Sequence, residues 1–343
     1  MTPSARIQAA IEVLDLVIAA ARGQGASADR LLGDWLRTRR FIGSKDRRAI
    51  RELVYAAIRA CGEVPVSGRA AMLRYAGEDP AVLGLFDGAK YGPAPVDPGE
   101  PVAEGGVAPR WLVERLEASG VGAEAQAALL DRAPLDLRAN RLKITREALA
   151  ARPGESVIDL CAGAGGKTLA LAAAMDNRGT LLACDVDRGR LGKLAPRAER
   201  AGAIVETRLL DGGREAEQMA DWQGRADAVL IDAPCSGTGT WRRNPEARWR
   251  LDAKAIDRFA ATQAKLLRLG AGLVRPGGRL AYVVCSLLDA EGADIVGAFL
   301  SEHPDWTAAP LETPPGTPRG AGVRLDPARD GTDGFFFATL RRL

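Results

Sequence analysis

Five short apolar runs, each closed by an acid, a cysteine or a glycine loop, limit most strongly what this chain can fold into. Residues 157–160, 180–184, 204–210, 228–231 and 279–284 have the length of buried strands and are bounded by turn signals. The first runs directly into Cys161-Ala-Gly-Ala-Gly-Gly-Lys-Thr168 and then into the start of a helix at 169–175. A strand, a glycine loop and a helix N-terminus together form a ligand-binding elbow, because bare backbone lets a ligand approach closely. The expectation is an α/β fold with a largely parallel sheet. In such sheets ligands lie outside the carboxyl ends of the strands. The residues that stand there are Asp185, Asp211, Asp232 with Cys235, and Cys285.

The loop itself fits three elbows. A phosphate-binding loop would match Gly166-Lys167-Thr168 but would need glycine at Cys161. A dinucleotide loop would match Gly163 and Gly165 but meets Thr168 in place of its third glycine. The first loop of an S-adenosylmethionine-dependent methyltransferase needs glycines and no pyrophosphate cradle. An acid about 20 residues past the loop, Asp185, suits ribose hydroxyls. Each aspartate taken alone is more commonly a helix N-cap. Three acids at successive strand ends behind one glycine loop point to a site.

A chain of 343 residues is long enough for two domains with sizeable cores. Apolar runs stay short of the roughly 20 residues of a membrane span. The N-terminus enters an amphipathic helix carrying Glu12 and Asp15, so a cytoplasmic protein is expected. The five cysteines, at 61, 161, 184, 235 and 285, lack C-x-x-C spacing, and His303 is the single histidine. These features argue against a metal centre and for a reducing compartment. A Ser-His-Asp or Cys-His engine would have only His303 to use.

The front end reads as helices. Ile7, Ala10, Ile11, Leu14, Val17, Ile18 and Ala21 recur at helical spacing over 4–22, and further helices are expected at 27–41, from Ser44, at 67–76 and at 79–90. Between the second and third lie seven basic residues and one acid within fifteen positions, Arg37 to Arg51. A solvated helix face and a phosphate-binding patch explain this run equally well. Residues 92–109, rich in proline and glycine, read as a connection. Two short helices come next, and then a strand at 135–144 with Arg141 and Lys143 on one face.

Cys235 and Cys285 end consecutive strand-helix units and can face one cleft. Each alone is most often a small buried hydrophobe. Together, beside Asp232 and a methyl-donor loop, they suit one reaction. Carbon 5 of cytosine is a poor nucleophile, and a thiolate adding to carbon 6 activates it.

These motifs carry a family resemblance. Asp232-Ala-Pro-Cys235-Ser-Gly-Thr-Gly, with Arg242-Arg-Asn-Pro-Glu-Ala-Arg-Trp249, resembles the RsmB/Nop/Sun family of RNA cytosine-5 methyltransferases. Tyr282-Val-Val-Cys285-Ser is similar to its second cysteine motif, Cys161 to Lys167 to its cofactor loop, and Asp333-Gly-Phe-Phe to its last strand. The resemblance covers 135–343 and implies a class I methyltransferase with a seven-stranded Rossmann-like sheet whose final strand is antiparallel. The helical front is similar to the NusB-like RNA-binding domain of bacterial members. The implied division is 1–91 NusB-like, 92–109 linker, 110–150 a small subdomain and 151–343 the methyltransferase domain.

The resemblance also implies roles. Cys285 becomes the nucleophile, Cys235 assists product release, and Asp232 contacts the flipped cytosine and lies near the cofactor. Cys161, Ala162, Gly163, Ala164, Gly165, Gly166 and Lys167, with Asp185 and Asp211, hold S-adenosylmethionine. The RNA partner, ribosomal and of the small subunit, adds weight to phosphate contacts by Arg39, Arg40, Lys45, Arg47, Arg48, Arg51, Arg141 and Arg243. A monomer without metal is expected. Transfer RNA as substrate, or a catalytically silent assembly factor, are the alternatives. Three departures stand out: Ala164 in place of the usual proline, Val284 where threonine is common, and a 145–156 segment shorter than in family members.

Overall fold

The computed structural model describes residues 1–23, 25–133, 151–309 and 315–343. The expected strand at 135–144, with Arg141 and Lys143, lies outside them. The chain divides into two compact units: Met1–Ala133 with Thr240–Ala253, and Pro134–Gly239 with Lys254–Leu343.

The first unit is helical. Its principal helices are α1 (Pro3–Arg22), α2 (Ala28–Thr38), α3 (Ser44–Ala60) and α4 (Gly68–Ala76). The apolar stripe read from the sequence is its core: Ile7, Leu14 and Val17 of α1 meet Leu32, Ile50, Val54 and Ile58. Where a helix over 79–90 was expected, only Pro80–Leu83 is helical, because Gly84 and the left-handed Gly88 turn the chain away.

Residues 240–253 belong to this helical unit, and their side chains close its helix ends. The α2 N-terminus has no side-chain cap from its own Ser27. Glu246 Oε1 instead accepts the Ala28 N–H at 2.9 Å. Arg248, fully buried, donates to the carbonyls of Ile58 (2.7 Å) and Cys61 (2.8 Å) at the α3 C-terminus. An acid at a helix start and a cation at a helix end both complement orphan backbone groups and the helix dipole. Trp249 fills the core beside them. Burial pushes the Arg248 guanidinium down to about 10.

Among the described residues the second unit holds a nine-stranded sheet in the order β3-β2-β1-β4-β5-β9-β8-β7, with β6 also on β9. The strands are β1 (Ser156–Asp159), β2 (Thr180–Asp185), β3 (Glu206–Leu209), β4 (Ala226–Asp232), β5 (Val274–Val284), β6 (Trp306–Ala308), β7 (Thr317–Arg319), β8 (Gly322–Leu325) and β9 (Phe335–Arg342). β1 to β5 pair parallel, and β9 runs antiparallel to β5. The seven strands expected become nine because β9 is long enough to carry β6 and β8 end to end on one edge, with β7 added to β8. Both faces are covered, so the middles of the central strands, Ala228 to Ile231 of β4 and Leu280 to Val284 of β5, carry no charged side chain. Val229, Ile231, Leu280 and Tyr282 pack with Leu267 and Phe299 on one face, while Ala228, Leu230 and Val283 pack with Leu171 on the other.

Candidate active site

The parallel order β2-β1-β4-β5 sets four carboxyl ends side by side, and the site is built from the residues just past each end. After β1, Gly163 and Gly165 adopt left-handed backbone, with φ of 54° and 83°. A Cβ on Gly165 would stand 2.0 Å from Leu194 Cδ1, whereas one on Gly163 meets nothing nearer than Asp185 Oδ2 at 4.0 Å. The Gly165 end is therefore packed shut and the Gly163 end is an open cradle of bare backbone. Gly163 N–H donates to Asp185 Oδ2 at 2.7 Å, and Asp187 N–H to its Oδ1 at 2.7 Å. Asp185 holds the loop in shape and retains lone pairs toward the cradle. Asp211, after β3, is clamped by Gln218, whose Nε2 donates to Oδ2 at 2.9 Å while its Oε1 accepts the Asp211 N–H at 2.7 Å.

Lys167, in the first turn of the helix Gly166–Ala174, reaches Asp232 at the tip of β4, with Nζ 2.6 Å from Oδ2. Both are partly open to solvent, so the pair orients more than it stabilises. Thr168 turns inward and donates to Asp159 Oδ2 at 2.6 Å. Asp159 is 0 % exposed, and its Oδ1 has no hydrogen-bond partner among the described residues. Burial, with the charge of Asp232 adding, pushes its carboxyl up to about 7 against the Thr168 bond and Lys167.

Cys235 and Cys285 face each other with Sγ to Sγ at 3.3 Å. All five cysteines are free thiols, and their surroundings separate them. Burial pushes Cys61 up to about 11 and Cys184 up to about 12. Cys161 goes well up by burial and the neighbouring Asp159, Asp185 and Asp232. Cys235 also goes well up, because it donates to Cys285, is buried and feels the Glu291 carboxylate. Cys285 alone is pushed down, first by the hydrogen bond from Cys235, with the Lys167 charge also favouring it against burial and Asp232. Within the pair, Cys285 is therefore the sulfur that gives up its proton more readily and Cys235 the one that keeps it.

Sequence reasoning missed the group beneath this pair. Glu291, 0 % exposed, accepts the Ser236 N–H (2.8 Å), the Ser236 hydroxyl, the Ser286 hydroxyl (2.6 Å) and Gln263 Nε2 (3.1 Å). Along the chain Glu291 reads only as part of a helix start at 289. Alongside, Gly239 and Gly334 touch back to back: a Cβ on Gly239 would stand 2.0 Å from the Gly334 carbonyl oxygen, and Gly334 N–H donates to Gly239 O at 2.8 Å. This contact joins the two glycine signals of 237–239 and 333–334.

The proposed phosphate contacts fare unevenly. Arg39 stacks on Trp35 at 3.9 Å, Arg47 donates to Ile42 O at 2.7 Å and Arg51 pairs with Asp29 at 2.5 Å. Arg40, Lys45 and Arg48 are exposed with no ion-pair partner among the described residues, and Arg243 is exposed on the 240–253 segment.

Residues 146–341 match the model of the family described as 16S rRNA methyltransferase RsmB/F. The chain belongs to that family. That family is one of S-adenosylmethionine-dependent methyltransferases. Ribosomal RNA small subunit methyltransferase B of Thermus thermophilus is 44% identical over 196 residues, covering 57% of this chain and 47% of the relative. The Xanthomonas campestris protein of the same name is 35% identical over 252 residues, covering 68% and 57%. The chain thus spans about half the length of these relatives. Among solved structures, PH0851 is similar over 100% of this chain and 99% of its own, with a TM-score of 0.72 at 22% identity, a likeness of fold. NSun6 from Pyrococcus horikoshii with SFG has a TM-score of 0.53 at 27% identity, covering 61% of this chain and 52% of that one.

Proposed function

We propose that this chain transfers a methyl group from S-adenosylmethionine to carbon 5 of a cytosine in 16S ribosomal RNA, through a covalent bond between Cys285 and the base. The observation that carries this reading is the sulfur pair at 3.3 Å, whose surroundings favour ionisation at Cys285 over Cys235. The open Gly163 cradle and the acid Asp185 fit the cofactor, with the rest of the 161–167 loop and Asp211 around it. Bound there, S-adenosylmethionine supplies an electrophilic methyl group.

The residues of the chain do the rest. A stacked base cannot be attacked from its face, so the cytosine is flipped out. Asp232, held by Lys167, stands at the β4 tip to orient it. The Cys285 thiolate adds to carbon 6, and the electrons of the carbon 5–carbon 6 double bond make carbon 5 nucleophilic. After methylation the carbon 5 proton passes to water, its electron pair re-forms the carbon 5–carbon 6 double bond, and the carbon 6–sulfur bond breaks, returning its pair to Cys285. Cys235 assists by giving the departing thiolate a hydrogen bond. The helical unit, NusB-like in our reading, supplies exposed Arg40, Lys45 and Arg48 to backbone phosphates.

The test is transfer of labelled methyl from S-adenosylmethionine to 16S RNA lacking the modification, with bisulfite sequencing to locate it. Labelling at a single cytosine is expected. Label at any other ring position, or none on RNA, would overturn the reading.

A further inference from the structure

The two cysteines lie 50 residues apart, and each is followed by a serine. Both serine hydroxyls donate to the same oxygen of Glu291, Ser236 by a short bond and Ser286 at 2.6 Å. The other oxygen takes the Ser236 N–H at 2.8 Å and Gln263 Nε2 at 3.1 Å. A carboxylate has about four lone-pair positions, and all four are filled by donors. Gln263 spends its second N–H on the carbonyl of Pro234, at 2.9 Å, on the near side of Cys235. Residues before and after Cys235, and the residue after Cys285, are thereby tied to one buried group.

Once both serine hydrogens are given to Glu291, the serine oxygens, 3.2 Å apart, only accept. With the Ser286 hydroxyl hydrogen given to Glu291, its oxygen accepts from Leu288 N–H at 3.2 Å and from Thr238, 3.1 Å away. Thr238 in turn accepts the Leu287 N–H at 2.9 Å. The Tyr282 hydroxyl donates to the Glu291 carbonyl at 2.6 Å, holding the carboxylate-bearing turn against β5. A closed network in a buried setting resists slippage.

We propose that Glu291 is a positioning residue for methyl transfer, locking the Cys235 and Cys285 loops in one register so that attacking and assisting sulfurs stay in contact. The proposal rests on the two-cysteine reading above. It extends that reading to a residue that touches neither base nor cofactor. Its charge acts in the same sense as its geometry. The carboxylate faces Cys235 and opposes a negative sulfur there, while Lys167 favours and Asp232 opposes one at Cys285. Without Glu291 the proton would be shared more evenly between the sulfurs.

The test is the alkylation rate of each cysteine by iodoacetamide, read by peptide mass spectrometry from pH 6 to 9, in the wild-type chain and in Glu291→Gln. The new amide fits with its nitrogen toward the two hydroxyls, which can rotate to accept. The fold and S-adenosylmethionine binding by calorimetry should therefore persist. The expected result is a Cys285 to Cys235 rate ratio about tenfold lower, one unit of the thiol equilibrium, with the Cys285 profile moved to higher pH. An unchanged ratio and profile in a folded, cofactor-binding variant overturns the proposal. If Glu291→Gln does not fold, Ser286→Ala, which removes a single donor, decides. A two- to threefold lower ratio supports the role, and an unchanged ratio refutes it. Alkylation needs no RNA, so the two readings fail separately. A chain that methylates no RNA but whose ratio collapses in Glu291→Gln refutes the cytosine reaction, and with it the link to methyl transfer, and keeps only the hold of Glu291 on the two sulfurs.

Discussion

Among the described residues two carboxylates are 0 % exposed, Glu291 beneath the cysteine loops and Asp159 at the tip of β1. Burial is the same, and the surroundings are opposite. Glu291 accepts four hydrogen bonds. Asp159 accepts one full bond, from Thr168, and its other oxygen is left over. An acid taken out of water is held by its donors or by its proton. Glu291 is held by donors and serves as a fixed point for two loops. Asp159 holds a proton into the neutral range and lies below the cofactor loop as a group whose charge depends on pH.

The largest effect should come from the sulfurs that the Glu291 cluster presents. Cys285→Ala should lower methyl transfer to RNA more than about a thousandfold and abolish the covalent adduct. Cys235→Ala should let an adduct accumulate, visible as a slower band on denaturing gels. If both variants transfer methyl at wild-type rate, the cluster serves no chemistry.

Emptying the Glu291 position comes next. Glu291→Leu strands four donors in the interior, three on side chains and one backbone N–H, and should cost about 3–5 kcal/mol of unfolding free energy in urea. A loss under about 1 kcal/mol would mean that the donors find other acceptors and that the two acids differ less than their contacts indicate.

Asp159→Asn should have the opposite sign. The folded carboxyl is raised from 3.8 to about 7, so the wild-type chain loses stability as pH rises from about 4 to 7 and no further above. The asparagine chain lacks that loss. Its advantage should grow by about 1.4 kcal/mol per pH unit across the window and then level off. A pH-independent difference between the two chains would remove the contrast. The smallest change is Thr168→Val, which deletes the one full bond to Asp159. It should cost about 1 kcal/mol and move that window to higher pH, measured by the same unfolding series.

Much of the site was legible because its signals are local. A strand-length apolar run followed by Asp, Cys or Gly needs only its neighbours in sequence to be read, and Asp185, Asp232, Cys235, Cys285 and the 161–167 loop all announced themselves this way. Asp159 stood in plain view as a mere strand residue, since nothing adjacent shows that Thr168 is its one full partner. Residues 240–253 read, along the chain, with the cysteine motif that precedes them. Only packing shows Glu246 and Arg248 closing the ends of α2 and α3.

The sequence by itself determined the strand tips and the succession of strand and helix along the chain. Periodicity and turn chemistry act over a few residues and are written along the chain. Which sulfur ionises more readily and which buried acid is pushed toward its proton were decided by the tertiary structure, as was the place of Glu291 beneath both cysteines. Those outcomes depend on donors brought together from 28 and 55 residues away and on the dielectric of a closed interior, neither of which any local stretch encodes.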